Sequence, residues 1–315
     1  MPIELVTGKD DNGRRLDRIL RKTFPDTSLS LLHRLLRQGK VTVNKKRENN
    51  PSAKVNQNSI IEIYADLIVN RENGKVNNNT MKKIPEIIWY GAGLAIFNKP
   101  AGIASHGPDS LDKILFEAHF FEKLPVSLSF KPGPLHRLDK PTSGLIAFSL
   151  TLEGAIKFSR LLHDHKIIKT YLAIVDGCIT KEAIWQDTLI RNKSEKKTII
   201  KKAGMRSKNS NDKTSKFAIT TIRPLAGNKN HTLIEAKIKT GRTHQIRAQA
   251  AAHGYPLSGD MKYNNNTHYP GYFLHAYKME FTEIPEGFPS VVIAPLPQAF
   301  RNQIKTLQLF GNYSF

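Results

Sequence analysis

Residues 133–145 contain the side chains best suited to chemistry. The run reads Gly-Pro-Leu-His-Arg-Leu-Asp-Lys-Pro-Thr-Ser-Gly-Leu, so Asp139 stands among His136, Arg137 and Lys140. A carboxylate among cations stays ionised and could act as a nucleophile or a base. Gly-Pro and Thr-Ser-Gly are turn formers, and an apolar strand is expected after them, so Asp139 should lie in a loop that enters a buried strand. A purely structural ion pair is the competing interpretation.

A second candidate is the run Thr-Gly-Arg-Thr-His-Gln-Ile-Arg at residues 240–247. A strand is predicted over 233–239, and the helical spacing of apolar residues predicts a helix after the turn. A glycine-containing turn that leads into a helix offers backbone N–H groups to a phosphate, and Arg242 and Arg247 add positive charge. Alone, this pattern indicates a phosphate site only weakly.

Other motifs are less specific. Residues 169–177 predict a strand, in which Tyr171 would ordinarily be a packed aromatic side chain. Residues 98–102, Asn-Lys-Pro-Ala-Gly, form a turn after a predicted apolar strand. Residues 91–93, Gly-Ala-Gly, lack the third glycine and the preceding strand of a dinucleotide site. His163-Asp164-His165 lacks a third ligand, so no metal site is expected.

The elements around these motifs divide the chain. Helices are predicted over 14–24 and 29–38, with Ser28 or Ser30 as the N-cap of the second, and short strands over 40–44 and 59–64. Apolar residues are expected inward at positions 16, 19, 20, 24, 32, 35 and 36. Residues 1–65 should therefore form a small module with one basic face. The candidate RNA-binding residues of this face are Arg15, Arg18, Arg34, Arg37, Lys45 and Lys46.

Two stretches differ in composition from these predicted helices and strands. Residues 66–86 are rich in asparagine and weakly apolar, which predicts a linker. Residues 191–217 are rich in lysine and arginine, and they read either as a solvated insertion or as an arm that closes on a polyanion. Between and after them, from residue 87 onward, strands, helices and turns alternate.

Composition limits the function classes. The 315 residues carry 48 Lys+Arg against 27 Asp+Glu, a formal charge of +21, which favours a nucleic acid partner. Lysine-rich composition without functional meaning is the alternative. The single cysteine, Cys178, excludes internal disulfides and a cysteine-rich zinc site. The first residues have no apolar signal segment and no run is long enough to span a membrane, so we expect a cytoplasmic protein.

The motifs together resemble one family. His136-Arg137-Leu138-Asp139 followed by Thr142-Ser143-Gly144 resembles the signature HRLDxxTSG of the RluA-type pseudouridine synthases. The family's other motifs occur in the same order, namely NKPAG at 98–102, Lys169-x-Tyr171, GRTHQIR at 241–247, Leu257-Ser258-Gly259-Asp260 with Tyr263, and Leu274-His275-Ala276. Residues 1–65 resemble an S4 RNA-binding module, most closely that of the RluC-like branch. One departure is Gln249, where the family often has histidine.

The resemblance implies roles for individual residues. Asp139 would be the catalytic aspartate, Tyr171 the tyrosine that stacks on uracil, and Arg247 the partner of Asp139. Arg137 would fill the space that a flipped uridine leaves, which suits a planar guanidinium. His136, Arg242 and Thr243 are further candidates for RNA binding or base flipping. His136 and His244 are also expected to hold their loops by hydrogen bonds.

The resemblance also implies a fold and an activity. We expect an α+β protein, with a pseudouridine synthase catalytic domain at 87–315 built on a bent mixed sheet with flanking helices, a linker at 66–86 and a tethered, αL-type S4 domain at 1–65. The expected reaction converts uridine to pseudouridine in structured RNA, with large-subunit (23S) ribosomal RNA as the expected substrate, without metal or cofactor, by a monomer. The alternatives are a tRNA pseudouridine synthase and a catalytically inactive S4-type RNA-binding protein. A glycosidase fits less well, because it needs two carboxylates at the bond.

Overall fold

The chain forms a small N-terminal sheet and a large second sheet, each with its own apolar core. The computed structural model describes residues 1–65, 67, 83–124, 127–192, 197–201, 215–264, 271–311 and 313. Most of the expected linker at 66–86 and most of the lysine-rich stretch at 191–217 fall outside these residues. The α+β class with a mixed sheet and flanking helices is confirmed.

The N-terminal region contains two helices and six short strands. The helices are α1 (Leu16–Thr23) and α2 (Leu29–Arg37). The strands are β1 (Ile3–Val6), β2 (Arg14–Arg15), β3 (Val41–Val43), β4 (Lys46–Arg47), β5 (Lys54–Val55) and β6 (Ile60–Ile63). Four of these strands form one sheet in the order β1-β6-β3-β4, and β2 pairs with β5.

The apolar positions that were predicted to face inward on the two helices are buried in the structure. All seven apolar positions expected inward belong to one core, with Ile61 and Ile63 of the sheet beneath them. Ser28 caps α2 by accepting a hydrogen bond from the Leu31 N–H at 3.3 Å. The start of α1 was expected too early, because Arg14 and Arg15 pair with β5 instead of joining the helix.

The remaining described residues form four helices and eleven strands. The helices are α3 (Leu111–Glu117), α4 (Leu152–His163), α5 (Gln245–Ala252) and α6 (Gln298–Thr306). The first strands are β7 (Ile87–Gly91), β8 (Leu94–Lys99), β9 (Gly133–Pro134), β10 (Ser143–Ser149), β11 (Ile167–Asp176) and β12 (Ala183–Asn192). They are followed by β13 (Lys197–Ile200), β14 (Lys216–Gly227), β15 (His231–Ile238), β16 (Leu274–Phe281) and β17 (Val291–Ile293).

The sheet order brings distant motifs together. It runs β13-β12-β14-β15-β11-β16-β10-β8-β7, with β17 added at β16 and β9 at β10. The central strand β11, which carries Tyr171, lies between β15 and β16. The turn after β15 and the loop before β10 therefore come close to Tyr171, although they are about a hundred residues apart in sequence.

Ser143 and Gly144 do not form a turn, as their residue types predicted, but begin β10. They pair in parallel with His275 and Ala276 of β16. Gly144 has φ +103°, and a Cβ there would lie 2.3 Å from the Ala276 carbonyl oxygen. The glycine is needed because the two backbones approach so closely, which the turn propensity of Thr-Ser-Gly could not reveal.

The N-terminal region is docked against residues 127–129 through one carboxylate. Asp11 is fully buried, and its oxygens accept hydrogen bonds from the N–H groups of Gly8, Leu128 and Ser129 and from the hydroxyls of Ser127 and Ser129, at 2.6–3.0 Å. Leu128 packs against the N-terminal core. The expectation of a merely tethered module did not include this contact, because it joins residues more than 110 positions apart.

None of the helices in the described ranges is both long and apolar enough to cross a membrane.

Candidate active site

An open cleft of about 1250 Å³ lies between the loop at 135–142, strand β11 and the turn at 239–247. Every site residue expected from this half of the sequence lines it: His136, Arg137, Asp139, Tyr171, Arg242, Thr243 and Arg247. The cleft thus joins three sequence motifs that are far apart in the chain.

Asp139 and Arg247 form a close ion pair in this cleft. Arg247 Nη1 donates to Asp139 Oδ2 at 2.7 Å, and the Tyr272 hydroxyl donates to the same oxygen at 3.2 Å. The Asp139 side chain keeps a quarter of its surface exposed, whereas that of Arg247 is 7% exposed. The carboxylate is therefore held from behind and remains open to the cleft.

Arg247 is fixed by a second carboxylate. Its Nε and Nη2 donate to the two oxygens of Asp260 at 2.7 and 2.8 Å, the bidentate geometry that suits a guanidinium. The rings of Tyr263 and Tyr272 lie 5.0 and 4.4 Å from its Cζ. Burial alone would lower the pKa of Arg247, but the hydrogen bonds to Asp260 and Asp139 and the charge of Asp260 raise it. The guanidinium keeps its charge and offers Asp139 a single N–H.

The turn before α5 is held by Gln245. Its side-chain oxygen accepts hydrogen bonds from the Thr240 hydroxyl and the Arg242 N–H, and its amide donates to the Ile219 carbonyl. The Arg242 N–H is thereby occupied within the protein, which weakens the idea of a phosphate-binding turn. His244 adopts φ +55° at the N-cap of α5, a left-handed conformation that non-glycine residues rarely take.

His244 lies near Asp139 without forming an ion pair. Its Nε2 is 3.7 Å from Asp139 Oδ1, and its Nδ1 is hydrogen bonded to the Tyr263 hydroxyl at 2.9 Å. Burial lowers the pKa of His244 to about 4, despite the opposing charge of Asp139. The ring is therefore neutral at neutral pH and positions its loop through Tyr263.

Tyr171 is buried and His136 is half-buried, and both line the cleft. Nε2 of His136 accepts the Ala147 N–H at 3.0 Å, and the ring stacks on Phe158. Burial lowers the pKa of His136 to about 3, so it is neutral and holds its loop. Burial, and then the charge of Asp139, raise the pKa of the Tyr171 phenol, which therefore stays protonated beside the carboxylate.

The other expected RNA-binding residues are more accessible. Arg137 and Thr243 are exposed at the cleft, and Arg242 is half-buried with its Nε donating to the Phe217 carbonyl at 3.3 Å. The six N-terminal candidates are exposed and do not line the cleft: Arg15, Arg18, Arg34, Arg37, Lys45 and Lys46. Arg15 is engaged by Asp17, at 2.6 Å between Nη2 and Oδ2.

Sequence reasoning assigned no role to three residues in or next to this site. Asp260 belongs to a recognised motif. An arginine that is buried and orients one carboxylate, as Arg247 orients Asp139, indicates that a second anionic side chain lies nearby. Tyr272 belongs to none of the motifs identified in the sequence. Lys99 is buried with its ammonium donating to backbone carbonyls, a role that its loop sequence did not reveal. In the described ranges, no three His, Cys, Asp or Glu side chains are grouped to bind a metal.

Comparison with known proteins matches two regions of the chain to protein families. Residues 93–252 match the family model described as RNA pseudouridylate synthase, and residues 14–61 match the S4 domain. Both regions were expected from the motifs.

Individual relatives extend the match over nearly the whole chain. The chain is 31% identical to ribosomal large subunit pseudouridine synthase D of Buchnera aphidicola subsp. Schizaphis graminum, over 83% of this chain and 79% of the relative. It is 29% identical to synthase C of Buchnera aphidicola subsp. Acyrthosiphon pisum, over 98% of each. The solved structure of human RNA Pseudouridylate Synthase Domain Containing 4 shares the fold, with a TM-score of 0.58 and 19% identity over 71% of this chain and 93% of that one.

The family model spans the loop of Asp139, the strand of Tyr171 and the helix of Arg247, the three elements that meet in the cleft. On that match and on the 31% identity to a relative of similar length, the chain belongs to the RNA pseudouridylate synthase family and is an RNA pseudouridine synthase.

Proposed function

We propose that the protein isomerises specific uridines of large-subunit ribosomal RNA to pseudouridine, with Asp139 as the nucleophile. The observation that carries the proposal is the ion pair between Asp139 and an Arg247 that Asp260 already fixes. The Asp139 carboxylate accepts one N–H from this guanidinium and one O–H from Tyr272, and the rest of it remains open to the cleft, where a nucleophile could reach a substrate. The relatives named as large-subunit synthases support the choice of RNA.

The surrounding residues suit the steps that the reaction requires. A uridine in structured RNA must leave its stack before its glycosidic bond is accessible. Exposed Arg137 beside the cleft is suited to occupy the gap, and the Tyr171 ring next to Asp139 is suited to hold the uracil by its face while the base turns. Arg242 and Thr243 at the cleft mouth are suited to contact the RNA.

We further propose a division of labour along the chain. Residues 1–65 would bind RNA, 66–86 would connect, and 87–315 would catalyse. The site draws Asp139, Tyr171, Arg247 and Asp260 from one chain, which supports action as a monomer. A ribosomal RNA substrate implies action in the cytoplasm.

Pseudouridine mapping tests the proposal. Total RNA from cells with and without the gene should differ at one or more uridines of large-subunit ribosomal RNA, and the purified protein should modify the same positions in a transcript. Modification confined to tRNA would replace the proposed substrate with the tRNA alternative. RNA binding without any pseudouridine would support the inactive S4-type protein instead, which the intact Asp139, Tyr171 and Arg247 argue against.

A further inference from the structure

Two lysines are buried beside the cleft, and their surroundings differ. Lys99 is fully buried, and its ammonium donates to the carbonyl oxygens of Pro100 at 2.9 Å, Ile103 at 2.7 Å and Lys140 at 3.4 Å. An ammonium has three N–H donors, so Lys99 is satisfied by the protein itself. It joins the two loops at 98–103 and 135–142 and does not line the cleft.

Lys169 is 7% exposed and lines the cleft. It lies on β11 two residues before Tyr171, and alternation along a strand places both side chains on one face. Its Nζ reaches the turn after β15, where a Cβ on Gly241 would be only 3.1 Å away. The missing side chain at Gly241 therefore leaves room for the ammonium.

Among the described residues no hydrogen bond or ion pair of the Lys169 ammonium is identified, whereas the ammonium of Lys99 donates to three carbonyl oxygens. Burial lowers the pKa of Lys169 to about 8, and its charge contributes, after burial, to the lowered pKa of His136. A buried cation without a partner is unfavourable unless a ligand supplies the missing acceptor.

The reaction offers two such acceptors in the same nucleotide. The RNA backbone brings phosphate oxygens to the cleft. In addition, isomerisation breaks the N1–C1′ bond and leaves its electron pair on the uracil, spread over the ring carbonyl oxygens. C5 then forms the new bond to C1′ and loses a proton, and N1 gains one, so that the overall change is an isomerisation.

We propose that Lys169 binds an anionic oxygen of the target nucleotide, either a phosphate oxygen or a carbonyl oxygen of the detached uracil. This inference rests on the proposed function. The position of Lys169 next to Tyr171 suits the uracil, and its position under the turn at 240–244 suits a phosphate. In either case Lys169 is a substrate-binding residue whose partner arrives with the RNA.

The test compares Lys169→Met with Lys237→Met in the full-length protein. Methionine keeps the length of lysine and removes its charge. Lys237 is exposed on β15 beside Thr170, and its Nζ lies 3.5 Å from Glu235, so its loss removes the same charge outside the cleft. Single-turnover rates at saturating RNA, with Asp139 intact, report the chemistry. Dissociation constants measured in an Asp139→Asn background, in which the RNA is not converted, report the binding.

The two sources predict different results. If Lys169 stabilises the detached uracil, its loss lowers the saturated rate about 100-fold and leaves the dissociation constant unchanged. If it binds a phosphate, the dissociation constant rises about tenfold, and a methylphosphonate at that position in the RNA abolishes the difference between variant and wild type. Lys237→Met should change neither quantity beyond about twofold.

Chemical restoration of the ammonium tests whether a loss of activity in the Lys169 variant comes from the missing charge or from a change in the fold. Lys169→Cys in a Cys178→Ser background, alkylated with bromoethylamine, recreates a side chain of nearly the same length and charge, and activity should return. A loss that this treatment does not reverse would overturn the proposal, as would unchanged rate and affinity in Lys169→Met. If the methionine variant does not fold, Lys169→Gln provides the same comparison. Absence of pseudouridine with the wild-type protein would instead refute the proposed function.

Discussion

The cations of the N-terminal module and those of the cleft differ in burial, and this difference separates their effects. The six candidate RNA-binding side chains of residues 1–65 are exposed, and water and salt screen them. Around the cleft, Lys99, Lys169 and Arg247 are at most 7% exposed. Removal of an exposed cation should change affinity slightly and in a salt-dependent way, whereas removal of a buried one should change the fold or the chemistry.

The largest effect is expected at Asp139, the carboxylate that the buried Arg247 contacts. Asp139→Asn keeps the shape of the side chain and can still accept a hydrogen bond from Arg247, but it removes the charge of the proposed nucleophile. Single-turnover isomerisation should fall about 10⁴-fold or more, while RNA affinity stays within a few-fold of wild type. Asp164→Asn, which removes an exposed charge at the end of α4, is the matched control. Turnover within tenfold of wild type would remove Asp139 from the catalytic role.

Arg247→Met should destabilise the fold as well as slow the reaction. Asp260 is 1% exposed and would lose its bidentate partner, and an orphaned buried charge costs about 3–5 kcal/mol. Urea unfolding measures the loss. Arg242→Met is the control, because Arg242 donates only to the Phe217 carbonyl among the hydrogen bonds identified for its side chain.

A double variant sharpens this second test. Arg247→Met combined with Asp260→Leu removes both charges and should recover part of the lost stability without recovering activity. Equal stability of Arg247→Met and wild type would mean that the ion pair with Asp260 contributes nothing net to folding.

Local patterns predicted the strands and helices well, and the site only in part. Apolar spacing placed α1, α2, β10, β11 and α5 to within a few residues, because each pattern is carried by neighbouring positions. Asp260 and Tyr272 were not predicted as partners of Asp139 and Arg247, since these contacts depend on how the turn at 257–260 and strand β16 approach β10. Residue type predicted a turn at Ser143-Gly144, but these residues begin β10 because they pair in parallel with β16.

The contact between the two regions was also beyond the sequence. Nothing in the sequence near Asp11 indicates that Ser127, Leu128 and Ser129 donate hydrogen bonds to its carboxylate oxygens. From sequence alone, an acidic residue in a basic module is predicted to be an exposed charge. The Asp11 carboxylate can be fully buried because Ser127, Leu128 and Ser129 supply the hydrogen-bond donors that it would otherwise find in water.

Asp11→Asn should weaken this docking by about 1–3 kcal/mol, because an amide N–H₂ would replace one acceptor facing N–H and hydroxyl donors. Amide hydrogen exchange at Leu128 and Ser129 should accelerate, whereas Asp10→Asn should leave it unchanged. Burial alone would raise the pKa of Asp11, but the hydrogen bonds from Ser129, Leu128 and Gly8 lower it below 3.8. The stabilisation is therefore present above that pH and is lost as the pH falls through the lowered pKa. Protection at Leu128 that is equal in both variants would show that the apolar contacts alone hold the module.

The smallest effect is expected at the exposed cations of α2. Arg34 and Arg37 project from one helix, and each phosphate that they contact should contribute about 0.7–0.9 to the slope of log affinity against log salt. Arg34→Gln with Arg37→Gln should therefore flatten that slope by up to about 1.8 and leave the single-turnover rate at saturating RNA unchanged. Lys305→Gln on α6 provides a control for the loss of an exposed charge outside the module. A flattened slope with a lower saturated rate would mean that the module also orients the RNA in the cleft, and the distinction between surface and buried cations would then fail at these two residues.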